Sequence, residues 1–394
     1  MSCEPLIERY LLLGLRLGKL VPGLVDAYYG PPALGLRVDG ESPPDPYALA
    51  DEAARLLGEL DGAIATEARR RWLRAQLVGL ETVANRLGGE AISYADEVER
   101  CYGVRPELVP EDEFARAHEA LDGVLPGEGP VKERYQAWQE SQTVSTDVLL
   151  PAFELLTAEL RERSAAMFGL PDGESTELEL VSDEPWLAFN YYLGDLRSRV
   201  VFNTDLPWRS TDLLLVVAHE LYPGHHTEHA WKEALLVRER GQLEESAQLV
   251  GTPQSLVSEG IATVAPGIVA GDDVDTLAAL LLRPLGVPYE PEIAAVVRRE
   301  SETLAQVGPN AAYLLHEQGL SLGEVREYSR RWALVSDDRV EKGLQFITDE
   351  TWRAYIYCYT EGQRLARGFV GDDRARFRRL LTEQIVSSEL SAPH

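Results

Sequence analysis

The chain has few cysteines and no paired cysteine motif. Its 394 residues include three cysteines, Cys3, Cys101 and Cys358, which are widely spaced and odd in number. This excludes a disulfide framework and a CxxC metal clip, and we interpret the cysteines as reduced packing residues. Because 45% of the residues are hydrophobic, a chain of this length can build a sizeable core without cross-links.

Long apolar runs are also missing, and we expect no secretory leader. A membrane helix needs roughly 18 consecutive apolar residues, whereas runs such as Leu213–Ala218 are core-sized. A signal peptide begins with positive charge followed by an uninterrupted apolar stretch. Here the acidic residues Glu4 and Glu8 precede the basic ones, and Arg16 and Lys19 interrupt the apolar stretch. We therefore predict a cytoplasmic protein with no membrane partner.

Positive charge is scarce. The chain has 65 acidic residues against 38 basic ones, a formal net charge of −27, and no cluster of lysine and arginine. Such a chain repels phosphate backbones, so we predict that nucleic acid is not a partner.

Apolar residues at helical spacing dominate the first part of the chain. Leu73, Leu77, Leu80, Ala84 and Leu87 form one stripe and predict a core-facing helix. We predict an N-terminal helical region over residues 1–130 and a second, catalytic helical region over residues 131–394, packed as one compact unit.

The second region contains a segment with strand-like patterns. A long helical pattern runs over residues 131–167, and Pro151 should kink or divide it. Residues 174–205 then read as strands, with TELELV, WLAFNYYL and SRVVFN, before helical patterns resume at Thr211. The predicted fold is mainly α, with a small antiparallel sheet inserted directly before a histidine-rich segment.

Four of the seven histidines lie in eleven residues, within VVAHELYPGHHTEHAWKE. Neutral imidazole with carboxylate is typical ligand chemistry for catalytic zinc, and His219 followed by Glu220 suggests a ligand followed by a general base. The usual second histidine, four residues on, is replaced by Pro223. In a regular helix His225 would point away from the side of His219. His226 would face the same side as His219 but lie about 10 Å further along the helix axis. We predict that the Pro-Gly pair forms a bulged turn that brings a later histidine back to the metal.

Glu259 in SLVSEGIATVA is the candidate third ligand. It lies within an apolar helical pattern, where an uncompensated inward carboxylate would be costly and a metal would relieve that cost. The alternative is that the histidines lie on the surface of a helix broken by Pro-Gly.

These motifs resemble a known family. HELYPGHH followed by SEGIA is similar to the bacterial "domain of unknown function 885" family, with HExxPGH and then EGWA, and to gluzincin metallopeptidases of the thimet oligopeptidase and Taq-type carboxypeptidase kind. GDLRSRVVFNTD, LLHEQGLS and YCYTEG also look like family segments. The resemblance implies a gluzincin-like helical fold, Zn²⁺ held by His219, His225 and Glu259, and Glu220 as base. Ile261 departs from the family's tryptophan, which bears on substrate preference.

Further candidates could donate to a reacting carbonyl. Tyr355 and Tyr359 lie one helical turn apart, and a tyrosine hydroxyl suits the oxyanion of a tetrahedral intermediate. We assign Tyr359 to catalysis and Tyr355 to substrate binding, with core packing as the alternative for both. His316 in LLHEQG is a second donor or a core histidine.

Candidate substrate contacts lie on the strand before the metal helix. Ser198 to Asn203 could be an edge strand that pairs with an extended peptide, and we include Asn203 among the substrate-binding residues. Arg197 and Arg199 could bind a substrate carboxylate, or be ordinary surface arginines. His229, one turn beyond His225, is predicted to support the site or to be exposed.

The predicted function is hydrolysis of short peptides by a metal-activated water, with Glu220 as general base. One rival keeps the zinc and acts on a non-peptide amide or ester. Another is a non-catalytic helical binding protein with a silent metal site. A di-iron carboxylate bundle is disfavoured, because no histidine follows a glutamate by three residues.

Overall fold

The computed structural model describes residues 4–184 and 186–391. The helices in these residues are α1 Pro5–Leu20, α2 Pro32–Asp39, α3 Pro46–Ala63, α4 Glu67–Leu87, α5 Tyr94–Tyr102, α6 Glu111–Val124, α7 Val131–Ser141, α8 Thr146–Phe168, α9 Ser210–Glu220, α10 His225–Lys232, α11 Pro253–Ala270, α12 Val274–Leu282, α13 Pro291–Leu304, α14 Val307–His316, α15 Leu322–Trp332, α16 Asp337–Thr348, α17 Ile356–Val370, α18 Arg374–Thr382 and α19 Ser387–Leu390. The strands are β1 Val25–Tyr28, β2 Ser175–Val181, β3 Ala188–Gly194, β4 Arg197–Asn203 and β5 Ala247–Leu249. A π-helix covers Glu233–Glu239, and 3₁₀ turns cover Leu243–Ser246, Gly271–Asp273 and Arg283–Leu285.

The prediction of a mainly helical fold is confirmed. No helix in the described residues has the length and apolar character that a membrane span requires.

The helix predicted from the leucine stripe is α4. Leu73, Leu77, Leu80 and Ala84 are fully buried, and Leu87 packs at the margin of the core. The largest apolar cluster contains this face together with residues of α1, α3, α11 and α17. It therefore draws on both sides of residue 130, and the division of the chain into two regions stays a prediction.

The predicted helix over residues 131–167 is divided, but not at Pro151. Pro151 lies inside α8, near its N-terminus, where its missing N–H removes one hydrogen bond without ending the helix. The division falls at residues 142–145, where the backbone N–H of Val144 donates to Trp208 O and Thr143 bridges to Arg209. The prediction that Pro151 could divide the helix is wrong, because the break lies at this tertiary contact, and the alternative that Pro151 kinks the helix stays a prediction.

The β insertion forms a three-stranded sheet in the order β2-β4-β3. β3 pairs with β4 in the antiparallel sense through a tight hairpin, but β2 pairs with β4 in parallel. The prediction of an antiparallel sheet is therefore wrong for the β2–β4 pair, because the hairpin places β4 between its two neighbours. β4 is consequently the central strand, and the predicted edge at Ser198 to Asn203 is also wrong. The edge next to the histidine helices is β3.

A second sheet joins distant parts of the chain. β1 pairs with β5 in the antiparallel sense, and the end of β1 packs on the end of β3, where the rings of Tyr29 and Tyr192 lie 5.1 Å apart. This places a short N-terminal segment beside the sheet that precedes α9.

The buried Cys101 and Cys358 are free thiols in the core, as predicted, while Cys3 lies outside the described residues.

The packing of α11 against α17 depends on two glycines. A Cβ atom on Gly260 would lie 2.5 Å from Gly362 O, and one on Gly362 would lie 2.6 Å from Leu256 O. Both distances are too short for a side chain, so the two helices can cross this closely only with glycine at these positions. The crossing sets Glu259 on α11 opposite Tyr355 and Tyr359.

We expect Gly362→Ala to destabilise the protein by about 1–3 kcal/mol, because the added methyl group meets the backbone of α11. Gly368→Ala in the same helix is the matched control, since a Cβ there has no neighbour within 4 Å. That variant should be neutral or more stable by up to about 1 kcal/mol. Thermal unfolding of both variants measures the difference, and equal midpoints would contradict a glycine-dependent crossing.

Candidate metal and hydrolytic site

The histidine segment folds as two helices joined by a tight turn. α9 ends at Glu220, the Tyr222–Pro223 peptide bond is cis, and α10 begins at His225. A Cβ on Gly224 would lie 1.8 Å from His219 O, so the turn can fold back on α9 only with glycine there. The predicted irregularity at Pro-Gly is therefore a break between helices rather than a bulge within one.

This turn brings His219, His225 and Glu259 together. One ligand atom from each lies within 4.8 Å of the other two, and His219 Nε2 is 3.5 Å from Glu259 Oε2. Glu259 is 6% exposed, and its Oε2 atom is buried without a hydrogen-bond partner among the described residues. A buried carboxylate oxygen with no donor is costly, and a cation at the centre of the three residues would satisfy it.

The environment of the two histidines favours the neutral form that binds a metal. Burial lowers the pKa of His225 to about 4 and, with His225 nearby, holds the pKa of His219 well below its ordinary value. Both imidazoles are therefore neutral near pH 7, as coordination requires. Two nitrogens and one carboxylate oxygen are the donor set of many catalytic zinc sites, so the residues present fit zinc.

A buried relay fixes the orientation of His225. Lys232 Nζ donates to Glu228 Oε1 at 2.6 Å, and the Ser258 hydroxyl donates to Glu228 Oε2 at 2.6 Å. His225 Nδ1 lies 3.2 Å from Ser258 Oγ. Because the single hydroxyl proton of Ser258 is directed at Glu228, Ser258 can only accept from His225, so Nδ1 carries the proton. The Nε2 lone pair is then left for a metal.

His226 has a different role. Its Nδ1 lies 2.8 Å from Ser198 Oγ and its Nε2 lies 2.8 Å from Glu174 Oε2, so both ring nitrogens are engaged away from the triad. Glu174 also accepts from the Tyr222 hydroxyl at 2.7 Å. His226 therefore anchors the turn to the start of the sheet. His229 is buried and stacks on His225, with ring centroids 6.0 Å apart.

Glu220 lies at the end of α9, beside the triad. Burial raises the pKa of its carboxyl to about 8, with further contributions from the charges of Glu259 and Asp26. Asn190 of β3 donates to the Glu220 backbone oxygen at 2.6 Å and so ties the edge strand to this helix end. A carboxyl with a raised pKa next to a candidate metal site suits uptake and return of a proton.

The two tyrosines differ in their contacts. The Tyr355 hydroxyl donates to Glu259 Oε1 at 2.6 Å, so Tyr355 orients the carboxylate instead of facing the cleft. The prediction that Tyr355 binds substrate does not match this contact. Tyr359 is 40% exposed, and its hydroxyl lies within electrostatic range of Glu259 and Glu220. Desolvation by the surrounding protein and the nearby charge of Glu259 raise the pKa of Tyr359 well above its ordinary value, so the hydroxyl keeps its proton.

The other predicted residues are not joined to the triad by any contact in the described residues. His316 Nε2 lies 2.6 Å from Ile347 O, and its ring packs on Tyr94. Arg197 and Arg199 are exposed on β4, and Arg199 pairs with Glu179 and lies over the ring of Tyr191.

Asn203 does not fit substrate binding. It is fully buried, and its side-chain amide donates to Glu184 O and Trp186 O. The prediction that it binds substrate does not match these contacts, because its side-chain amide closes the loop before β3.

A cavity of about 730 Å³ adjoins the triad. His219 and Tyr359 line it together with Thr360 and Gln363 of α17 and residues of α13. Its volume lies in the range of small-molecule sites, roughly 300–1,000 Å³.

Several residues of the site were not identified from the sequence. Glu228 and Lys232 are spaced three and seven residues after His225, on one face of α10, and this spacing with burial of both charges was an available signal. Ser258 directly precedes Glu259. Asp26 and Asn190 carry no local signal, since only tertiary packing brings β1 and β3 to α9.

Comparison with known proteins identifies the fold but no activity. No family model and no curated protein matches the chain. A solved structure described as "the putative lipoprotein from Colwellia psychrerythraea" is similar, with a TM-score of 0.54 and 16% sequence identity over 91% of this chain and 68% of that one. A second, "a putative lipoprotein of unknown function from Shewanella oneidensis", has a TM-score of 0.46 and 11% identity, covering 86% of this chain and 73% of that one. The first likeness shows a shared overall fold.

Proposed function

We propose that the protein is a zinc-dependent hydrolase, a metallopeptidase that acts on short peptides. The observation that carries this proposal is the buried, unpartnered Oε2 of Glu259, which faces His219 beside a second neutral histidine. A structural role for the three residues would leave this oxygen without a hydrogen bond.

The family resemblance supports the same function. HELYPGHH with SEGIA is similar to the "domain of unknown function 885" family and to gluzincin metallopeptidases, and the residues of those two motifs are the ones that meet in space. The gluzincin-like fold is part of the proposal. The cytoplasmic location stays a prediction.

His219, His225 and Glu259 would hold the ion. A zinc ion in such a site supplies Lewis acidity, which polarises a carbonyl group and makes water more acidic. In this proposal Glu220 takes the proton from the attacking water and returns it to the leaving amine. The Tyr359 hydroxyl donates to the oxygen of the scissile carbonyl as negative charge develops there. Tyr355 and the Ser258–Glu228–Lys232 relay hold the ligands in orientation.

Two features support short peptides as the substrate class. Glu220 and Glu259 are 9% and 6% exposed, so the proposed base and one ligand are recessed, which favours short peptides over folded proteins. β3 is an edge strand beside α9, and Asn190 Oδ1 on this strand is buried without a partner among the described residues. An extended peptide could pair with β3 and reach this acceptor.

The test is digestion of a mixed peptide library by the purified protein, followed by mass spectrometry. We expect cleavage of peptides up to about a dozen residues, loss of cleavage with a chelator and recovery with zinc, since coordination is reversible. Casein should resist. Turnover of amide or ester compounds with no peptide cleavage would contradict the peptidase assignment, and zinc binding without hydrolysis would favour a silent site.

A further inference from the structure

Asp26 of β1 is a carboxylate placed by an irregular strand. Val25 pairs with Leu249 and Ala27 pairs with Gln248, so Asp26 is the extra residue of a β-bulge. A bulge re-aims the side chain that it carries, and such bulges are common beside active sites. Asp26 is solvent-accessible in β1, whose neighbours are half-buried.

The charge of Asp26 acts on residues of the site described above. Asp26 lies within electrostatic range of Glu220, Glu259 and Tyr359, and also of Tyr191 on β3. These residues belong to α9, α11, α17 and β3, so the carboxyl of Asp26 lies near all four elements. The surrounding protein partly desolvates the carboxyl and raises its pKa to about 6, which leaves it mostly ionised at neutral pH.

No cation within the described residues balances this charge. Asp26 has no ion pair or hydrogen bond there, and neither Glu220 nor Glu259 has a lysine or arginine partner. The cleft therefore holds three carboxyls. The charge of Asp26 is therefore left for a cationic group of the substrate.

The position of β1 also indicates which end of a peptide would lie there. β1 packs against the end of β3 through Tyr29, and a Cβ on Gly194 would lie 2.8 Å from the Tyr29 Cβ. The end of β1 therefore lies at the C-terminal end of β3. A peptide on β3 would terminate beside Asp26.

We propose that Asp26 binds a cationic group of the substrate, and that the terminal amine of a short peptide is the group that fits. This inference rests on the proposed function, and it means that the enzyme recognises the N-terminal amine of its peptide substrate. The bound peptide then runs antiparallel to β3, with its N-terminus at β1.

The test is binding of matched peptides to the full chain with Glu220→Gln, which prevents turnover. The probes are Ala-Ala-Phe-Ala amide, its N-acetylated form, and acetyl-Ala-Lys-Phe-Ala amide, each measured by calorimetry. We expect the free amine to bind about 10- to 100-fold more tightly than the acetylated peptide, the range of a charge-assisted hydrogen bond. Adding Asp26→Asn should abolish the difference, whereas the exposed Asp51→Asn on α3 should preserve it.

Each outcome decides the proposal. Equal binding of the free and acetylated peptides, or a preference that survives Asp26→Asn, would overturn it. Tight, Asp26-dependent binding of the acetylated lysine peptide would support the contact and assign the cation to a side chain. If the wild-type protein hydrolyses peptides without regard to the amine, this inference alone fails; if no peptide binds at all, the proposed function fails with it.

Discussion

Glu220→Gln is expected to retain the fold and zinc but to lower kcat by about 10²- to 10⁴-fold, the usual effect of losing a general base. The amide is nearly isosteric with the carboxyl and cannot take up a proton. Glu220 is not one of the three grouped donors, so the substitution should leave metal affinity intact. Metal content by mass spectrometry and steady-state kinetics on a cleaved peptide measure the two effects separately.

Tyr359→Phe is the companion variant. It removes a single hydroxyl from the exposed face of α17 and should lower kcat by roughly 10²- to 10³-fold while sparing zinc. Tyr355→Phe removes the donor to Glu259 and should act on metal affinity instead. A Glu220→Gln protein that cleaves peptides at the wild-type rate would end the proposed mechanism.

His225→Ala is expected to remove the metal, taking zinc content from about one ion per chain to near zero. The adjacent His226→Gln should retain it, because both ring nitrogens of His226 bond to Ser198 and Glu174 and neither faces the triad. Glutamine keeps some hydrogen-bonding capacity at this fully buried position, so the control remains folded more readily than an alanine variant would.

A third variant, with a partial loss of zinc affinity, distinguishes a metal ligand from a residue that orients a ligand. Ser258→Ala removes the acceptor for His225 Nδ1 but no ligand, so zinc affinity should fall by about 10- to 100-fold rather than disappear. Ser255→Ala on the same helix is its control, since that hydroxyl donates to Leu249 O away from the site. Competition against a chelator measures all four variants, and loss of zinc in His226→Gln with retention in His225→Ala would reverse the assignment.

Much of the helical architecture could be predicted because helix periodicity is local. The stripe from Leu73 to Ala84 forms the buried face of α4, and the strand-like patterns between residues 174 and 205 form β2, β3 and β4. Strand order could not be predicted in this way. Alternation identifies a strand but does not state its neighbours, and the central position of β4 follows from how β2 and the β3–β4 hairpin meet.

In the candidate site, too, local sequence patterns identified some residues and could not identify the contacts of others. His219, Glu220 and His225 are close in the chain, and the Pro-Gly pair between them indicated an irregular turn. Glu259 was identifiable from an isolated acidic residue in an apolar helix. Asn203 and Tyr355 were assigned to substrate because their neighbours in sequence suggested it, yet their side chains bond to loop carbonyls and to Glu259.

The amino-acid sequence by itself determined which residues could bind a metal, since that depends on their chemistry and on spacing within one or two helical turns. The tertiary structure decided what each of them faces. The short contact between Gly260 and Gly362 sets α17 over Glu259, and the bulged strand β1 brings Asp26 near residues more than 160 positions later in the chain. Contacts between such distant residues depend on the packing of whole helices and strands, and no local pattern in the sequence encodes them.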